Sequence, residues 1–269
     1  MERNKSYIIS DAGMVTELSS HGIYFARGGV AELFTLPLLD DPITNDWQEE
    51  DGLEVDVKSL TTKVPSIELR MVVFGKTRME YSSGLNAFRA LFKSDEVRIK
   101  PAYFESDQIY KLTDITIEGI TSHGGLYTSG AKWAEVTIGA RLSEWSEVTL
   151  PLVTPSPLTR VSIDGRDLVA YGVQIQEAYN TLLLPASYKE RTLMSMSKEL
   201  ALQCIVIADS YKIIAGRLCT LSQAIMRKII TMKHGGGEGQ CYYTSMTDLR
   251  EIPMNGRRAI TFALNFKTI

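Results

Sequence analysis

The chain has 269 residues, 44% of them hydrophobic and 23% charged, with a formal net charge of −3 and a pI near 5.7. That length suits one large core or two ordinary domains of roughly 130 residues, and the composition is that of a soluble globular protein. The mild acidity argues against a broad surface for gripping nucleic-acid phosphates, though not against a protein that lets DNA pass by.

No run approaches the ~18 apolar residues of a membrane helix. The opening Met1-Glu-Arg-Asn-Lys-Ser6 has no apolar region behind it, so neither membrane insertion nor Sec-type export is expected. Three cysteines, Cys204, Cys219 and Cys241, share no CxxC or CxxxC spacing and read as reduced thiols rather than a disulfide framework.

In chain order, the first 37 residues are short apolar segments broken by Gly13, Gly22, Gly28 and Gly29, a pattern of strands and turns. Two strands are expected there, Gly22-Ile-Tyr-Phe-Ala26 and Val30-Ala-Glu-Leu-Phe-Thr-Leu36. Ile67 to Phe74 alternates, with Ile67, Leu69, Met71 and Val73 on one face and Glu68 and Arg70 on the other. A helix from Tyr81 to Lys93 follows, its apolar side formed by Leu85, Phe88, Leu91 and Phe92. From Tyr103 to Leu142 strands and hairpins are expected, the closing strand placing Ala134, Val136, Ile138, Ala140 and Leu142 on its buried face. Leu150-Pro-Leu-Val-Thr-Pro-Ser-Pro-Leu-Thr-Arg160 holds three prolines, which disfavour a helix and stiffen an extended connection.

Beyond this joint the same order recurs. A Gly-apolar segment from Tyr171 to Pro185 mirrors His21 to Pro37, strand Glu199 to Ile207 mirrors Ile67 to Phe74, and a helix from about Ile213 to Met232 mirrors the first helix. Tyr243-Thr-Ser-Met-Thr-Asp248 echoes Tyr110-Lys-Leu-Thr-Asp114, and Ala259 to Ala263 matches Ala134 to Ile138. The expected fold class is therefore mainly β (α+β), with two tandem, duplicated antiparallel β-sandwich or half-barrel domains, each flanked by one α-helix. Residues 1–149 make the first copy, 150–160 the Pro-rich linker and 161–269 the second copy. An acidic loop at about 38–65 is inserted in the first copy alone: 30 residues separate Pro37 from Glu68, against 13 between Pro185 and Glu199.

Candidate chemistry is sparse. Lys233-His-Gly-Gly-Gly-Glu-Gly239 places its lysine before the glycines, whereas a phosphate loop needs it after them; a helix stop leading into a turn is the better reading. The loop carboxylates Asp46, Glu49, Glu50, Asp51, Glu54 and Asp56 do not fit a calcium loop around Gly52. His21, His123 and His234 each adjoin glycine, and no G-x-S-x-G elbow accompanies them. Asp114 and Asp248, in matched Thr-Asp contexts, suit turns. No catalytic, cofactor-binding or metal-binding residue is therefore assigned, and the chain is not expected to be an enzyme. A subunit contact is assigned to Asp46, Trp47, Glu49, Glu50 and Asp51, with Trp47 as its anchor. A carbohydrate-binding or glycan-cleaving β protein of a tail fibre or host-recognition apparatus is the alternative from another class.

The strand 67–74, helix 81–93 and closing strand 133–142, with their counterparts at 199–207, 213–232 and 258–266, resemble the tail-tube-domain family of tailed bacteriophages, particularly distal tail and baseplate-hub proteins. That resemblance implies a structural virion protein, made in the host bacterial cytoplasm, whose copies pack into a homo-oligomeric ring at the distal tail or baseplate. It implies self-association as a trimeric pseudo-hexamer or a hexamer, and contact with adjacent tail-tube, tape-measure and baseplate or fibre proteins. DNA would meet it only in transit through the lumen, and no cofactor is implied.

Overall fold

The computed structural model describes residues 5–10, 13–40, 44–45, 54–56, 60–101, 109–123, 132–144, 150–153, 161–182, 198–234 and 237–269. Most of these lie in strands, and every strand pair among them is antiparallel. The fold is thus the expected mainly β, α+β arrangement.

The first sheet is built from β1 (Tyr7–Ile9), β2 (Val15–Glu17), β3 (Ile23–Phe25), β8 (Ser66–Gly75), β9 (Glu96–Lys100), β10 (Tyr110–His123) and β11 (Lys132–Glu144). Between β3 and β8 come two short pairs, β4 (Leu38–Leu39) with β7 (Thr62–Lys63) and β5 (Thr44–Asn45) with β6 (Glu54–Val55). Helix α1 (Arg78–Leu91) follows β8. The second sheet is built from β12 (Val161–Ile163), β13 (Arg166–Asp167), β14 (Val173–Leu182), β15 (Lys198–Ala208), β16 (Ile230–His234), β17 (Gly237–Met254) and β18 (Arg257–Thr268), with α2 (Tyr211–Ile225) after β15. The strand orders are β2-β1-β9-β10-β11-β8-β3 and β13-β12-β16-β17-β18-β15-β14. Read by position, these are one order written twice.

Local chemistry repeats with the topology. In each half a four-residue 3-10 helix, Leu18–His21 or Leu168–Tyr171, ends on a left-handed glycine, Gly22 (φ 70°) or Gly172 (φ 73°), a conformation glycine adopts without steric cost. In each, a hydroxyl caps the long helix: Thr77 accepts from the Glu80 N–H at 3.2 Å and Ser210 from the Ile213 N–H at 3.4 Å. Such caps satisfy backbone donors that the first turn leaves open.

The repeat also corrects the alignment. Gly75 and Thr77, at the end of β8 and the cap of α1, correspond to Ala208 and Ser210, each 133 residues on. Glu199 therefore matches Ser66 rather than Glu68. In the same frame Ser66 faces Arg141 and Glu199 faces Lys267, so Thr137 matches Ala263. The sequence pattern, which sets Glu68 against Glu199 and Thr137 against Thr261, identifies the correct face but misses the register by two residues, because side-chain direction in a strand repeats every two.

Three elements differ from their sequence expectation. Residues 31–34 form a 3-10 helix rather than a strand, with Leu33 and Phe34 fully buried. Helix α2 stops at Ile225, and Ile230 and Met232, which continue its apolar stripe, belong to β16. Lys233 and His234 consequently end β16, and Gly237, Glu238 and Gly239 open β17, with His234 opposite Gly237, rather than following a helix; residues 235–236 lie outside the described residues. Strand β9, with Val97 and Ile99 buried, has no counterpart in the sequence reading.

Candidate functional site

The described contact between the halves joins unlike surfaces. The 3-10 helix 31–34 and β4, both first-half elements, pack against β17 of the second sheet. Phe34 stacks on Tyr211 with ring centroids 5.6 Å apart, and the Arg258 guanidinium lies over the same ring at 5.3 Å. The Tyr211 hydroxyl donates to Glu251. Arg227, just past α2, donates to Thr62 Oγ1 at 2.7 Å, and Leu60 forms a small cluster with Tyr242 and Ile269. Leu33, Phe34 and Leu36 share one buried cluster with Tyr211, Tyr243 and Met246. Part of the first half thus lies within the core beneath the second sheet.

The predicted contact residues Asp46, Trp47, Glu49, Glu50 and Asp51 lie outside the described residues. What is described on either side is the β5–β6 pair, Thr44 opposite Val55 and Asn45 opposite Glu54. Beneath it, Asp40 pairs with Lys63 and accepts from Thr61 at 2.8 Å. Those two hydrogen bonds, and the lysine charge, hold the Asp40 carboxyl below the usual aspartate range, the Lys63 bond first.

A cleft of about 510 Å³ opens between the 3-10 helix 18–21 and α1, lined by His21, Tyr24, Phe74, Met79 and Glu80 among others. Gly84 of α1 lines it and packs close to that 3-10 helix; a Cβ there would come within 2.7 Å of the His21 carbonyl oxygen. The corresponding second-half residue is Arg217, whose chain lies against Gly172 and whose guanidinium donates to the Ile207 carbonyl at 2.8 Å. Desolvation lowers its pKa, assisted by Arg257. The arginine thus lies against the second-half counterpart of Gly22, a residue of the cleft lining.

Around the cleft mouth Tyr24, Phe74, Met79 and Trp133 are exposed, Phe74 and Trp133 being direct partners across β8 and β11. The glutamate at the cleft accepts from the Lys76 N–H at 2.8 Å, which ties it to the helix start. His123 stacks on Trp133 at 3.8 Å between centroids, an aromatic contact rather than a nucleophile–base pair. His21 sits in a 3-10 helix and His234 in β16. Among the described residues no group of three histidines, cysteines or carboxylates could hold a metal. Cys204, Cys219 and Cys241 are buried, and burial pushes the thiols of Cys204 and Cys241 up to about 12.

Asp114 and Asp248 are both left-handed, at φ 51° and 56°, and both sit in bulges where two residues face one. Asp114 and Ile115 lie opposite Ala140, whereas Asp248 and Leu249 lie opposite Phe262. Ala140 corresponds to Phe266, so the two bulges stand four residues apart along the closing strand. Their Thr-Asp contexts mark the same device at different heights, not one duplicated position.

No protein-family model matches the chain, and no curated protein sequence matches it. Among solved structures it is similar to the SPP1 Dit (gp 19.1) protein, described as a paradigm of the hub adsorption apparatus in phages that infect Gram-positive hosts, at 12% identity and a TM-score of 0.33 over 97% of this chain and 98% of that one.

Proposed function

We propose that this chain is a structural protein of a phage tail, forming a ring at the distal tail or baseplate through which DNA passes, and that its two halves arose by duplication. The observation that carries this reading is the repeated sheet order within one chain, joined by a contact between unlike surfaces. A contact of that kind propagates from unit to unit and closes into a ring when the rotation allows. The elements that resemble tail-tube domains are those that recur in the two sheets. Negative-stain electron microscopy and light scattering of the purified chain, alone and with a tail-tube protein, test the reading. Rings with a DNA-sized bore are expected, and monomers at every concentration would sink it.

A second reading has its own observation. Tyr24 and Phe74 are exposed aromatics lining the cleft of the first half, the surface a glycan-binding protein offers to a sugar ring. Binding on a glycan array that is lost in Tyr24→Ala would favour it over the ring.

A further inference from the structure

Ile117, at the centre of β10, is exposed where its counterpart in the second sheet is covered. Ile117 lies opposite Ile138, and direct cross-strand partners point to the same face, here the face that also buries Val136 and Ala140. The matching position is Met246, opposite Leu264, because Ile138 and Leu264 pair with Leu69 and Leu202, which are 133 residues apart. Met246 is 3% exposed and Ile117 38%. Ile115 and Ile120 flank Ile117 and are only partly buried.

The cause of the difference lies in the contact between the halves. On the second sheet, the 3-10 helix 31–34 and β4 pack against β17, and Leu33, Phe34 and Leu36 belong to the same buried cluster as Met246 and Tyr243. The first sheet receives no such segment among the described residues. Its helix is less covered too: α1 buries Gly84 and Phe88, whereas α2 buries eight residues and is bound by Leu150, whose backbone exchanges hydrogen bonds with the Thr220 hydroxyl, each 3.0 Å long.

We infer that the face of β10 centred on Ile117 receives the second half of another copy of this chain, head to tail, as β17 receives the first half within one chain. The occupant is argued from the repeat. A sheet of the same strand order is already covered by this chain's own segment after β3. In the corresponding slot of the second half, β14 has ten residues where β3 has three, running on beside β15 to Leu182 opposite Lys198. That ribbon lies on the outer edge of the second sheet, the side from which a further unit would be reached. A contact between unlike surfaces leaves one donor and one acceptor on every chain, and this pairing uses both.

The inference rests on the ring reading and names its interface. Sedimentation velocity of the full chain across a concentration series is compared with Ile117→Arg, an exposed position where circular dichroism and thermal unfolding are expected to match the wild type. The concentration for half-assembly should rise at least about tenfold, because an arginine at a closed apolar contact is desolvated without a partner. A second arm places cysteines at Ile117 and Asn180 in one chain and adds a short bismaleimide, the natural cysteines being buried. A ladder of cross-linked multimers is expected, and none when the copies are held below the assembly concentration. Wild-type assembly by Ile117→Arg, or a dimer cross-linked through Ile117→Cys alone, would overturn the interface while leaving the ring standing. A wild-type chain that never self-associates would overturn both.

Discussion

At the scale of single residues, the two bulge aspartates illustrate what a short motif can convey. Thr-Asp in an alternating strand signals a turn-like break, and both residues do adopt the left-handed conformation. Their heights in the sheet were not legible, since the two-against-one pairing depends on which partner residue lies opposite. A left-handed L-residue carries roughly 1–2 kcal/mol of strain that glycine escapes, and aspartate tolerates the region better than most. Asp248→Gly should therefore be more stable than Asp248→Ala by about 1 kcal/mol, read as a difference in urea midpoint at constant slope. The same ordering is expected at Asp114, where both substitutions also lose the 3.3 Å pairing with Arg141, a cost that cancels in the comparison. Equal midpoints at both sites would show that the backbone at the bulges carries no strain.

At the scale of elements, alternation and helical periodicity located β8, β11, α1 and the start of α2, because each has one buried face. The end of α2 was hidden for a physical reason. Ile225, Ile229 and Met232 continue the helical phase, yet the chain turns at Arg227, which is left-handed at φ 55° and bonded to Thr62, 165 residues away in the sequence. Glycine or asparagine usually marks such a stop, and neither is present. The 3-10 helix 31–34 was hidden likewise: its apolar run resembles a strand, and its burial depends on the second sheet. The Asp164-Gly165 and Asn255-Gly256 pairs, by contrast, are turn signals legible in the sequence itself. Helix starts were more local. Thr77 caps α1 while Glu80 returns to the Lys76 N–H, so Thr77→Ala should cost about 1 kcal/mol, measured by thermal unfolding, and Thr77→Ser should restore most of it. Full stability in Thr77→Ala would mean that water satisfies that donor equally well.

At the scale of the whole molecule, the two repeats are not two independent cores. Sequence periodicity displayed two units because each sheet alternates within itself, but it held no sign that residues 31–39 of one unit complete the other. That information is in the pairing of Phe34 with Tyr211 and in the continuity of the buried cluster across both halves. Shared core couples unfolding: when one sheet opens, it strips apolar surface from the other, so the described architecture predicts a single cooperative transition. Placing a charge at the shared position tests the coupling directly. Phe34→Asp would lodge a carboxylate beside Tyr211 in the shared buried cluster, at a cost well above that of an ordinary core truncation of about 3–5 kcal/mol. The second sheet, which loses cover, should then melt first and the first sheet later, giving two calorimetric transitions in place of one. A control at Phe88→Ala, which empties core beneath α1 alone, should lower stability by about 3–5 kcal/mol while keeping one transition. Two transitions in the wild type, or one in Phe34→Asp with an unchanged midpoint, would show that the halves fold separately and that the contact between them adds little to either.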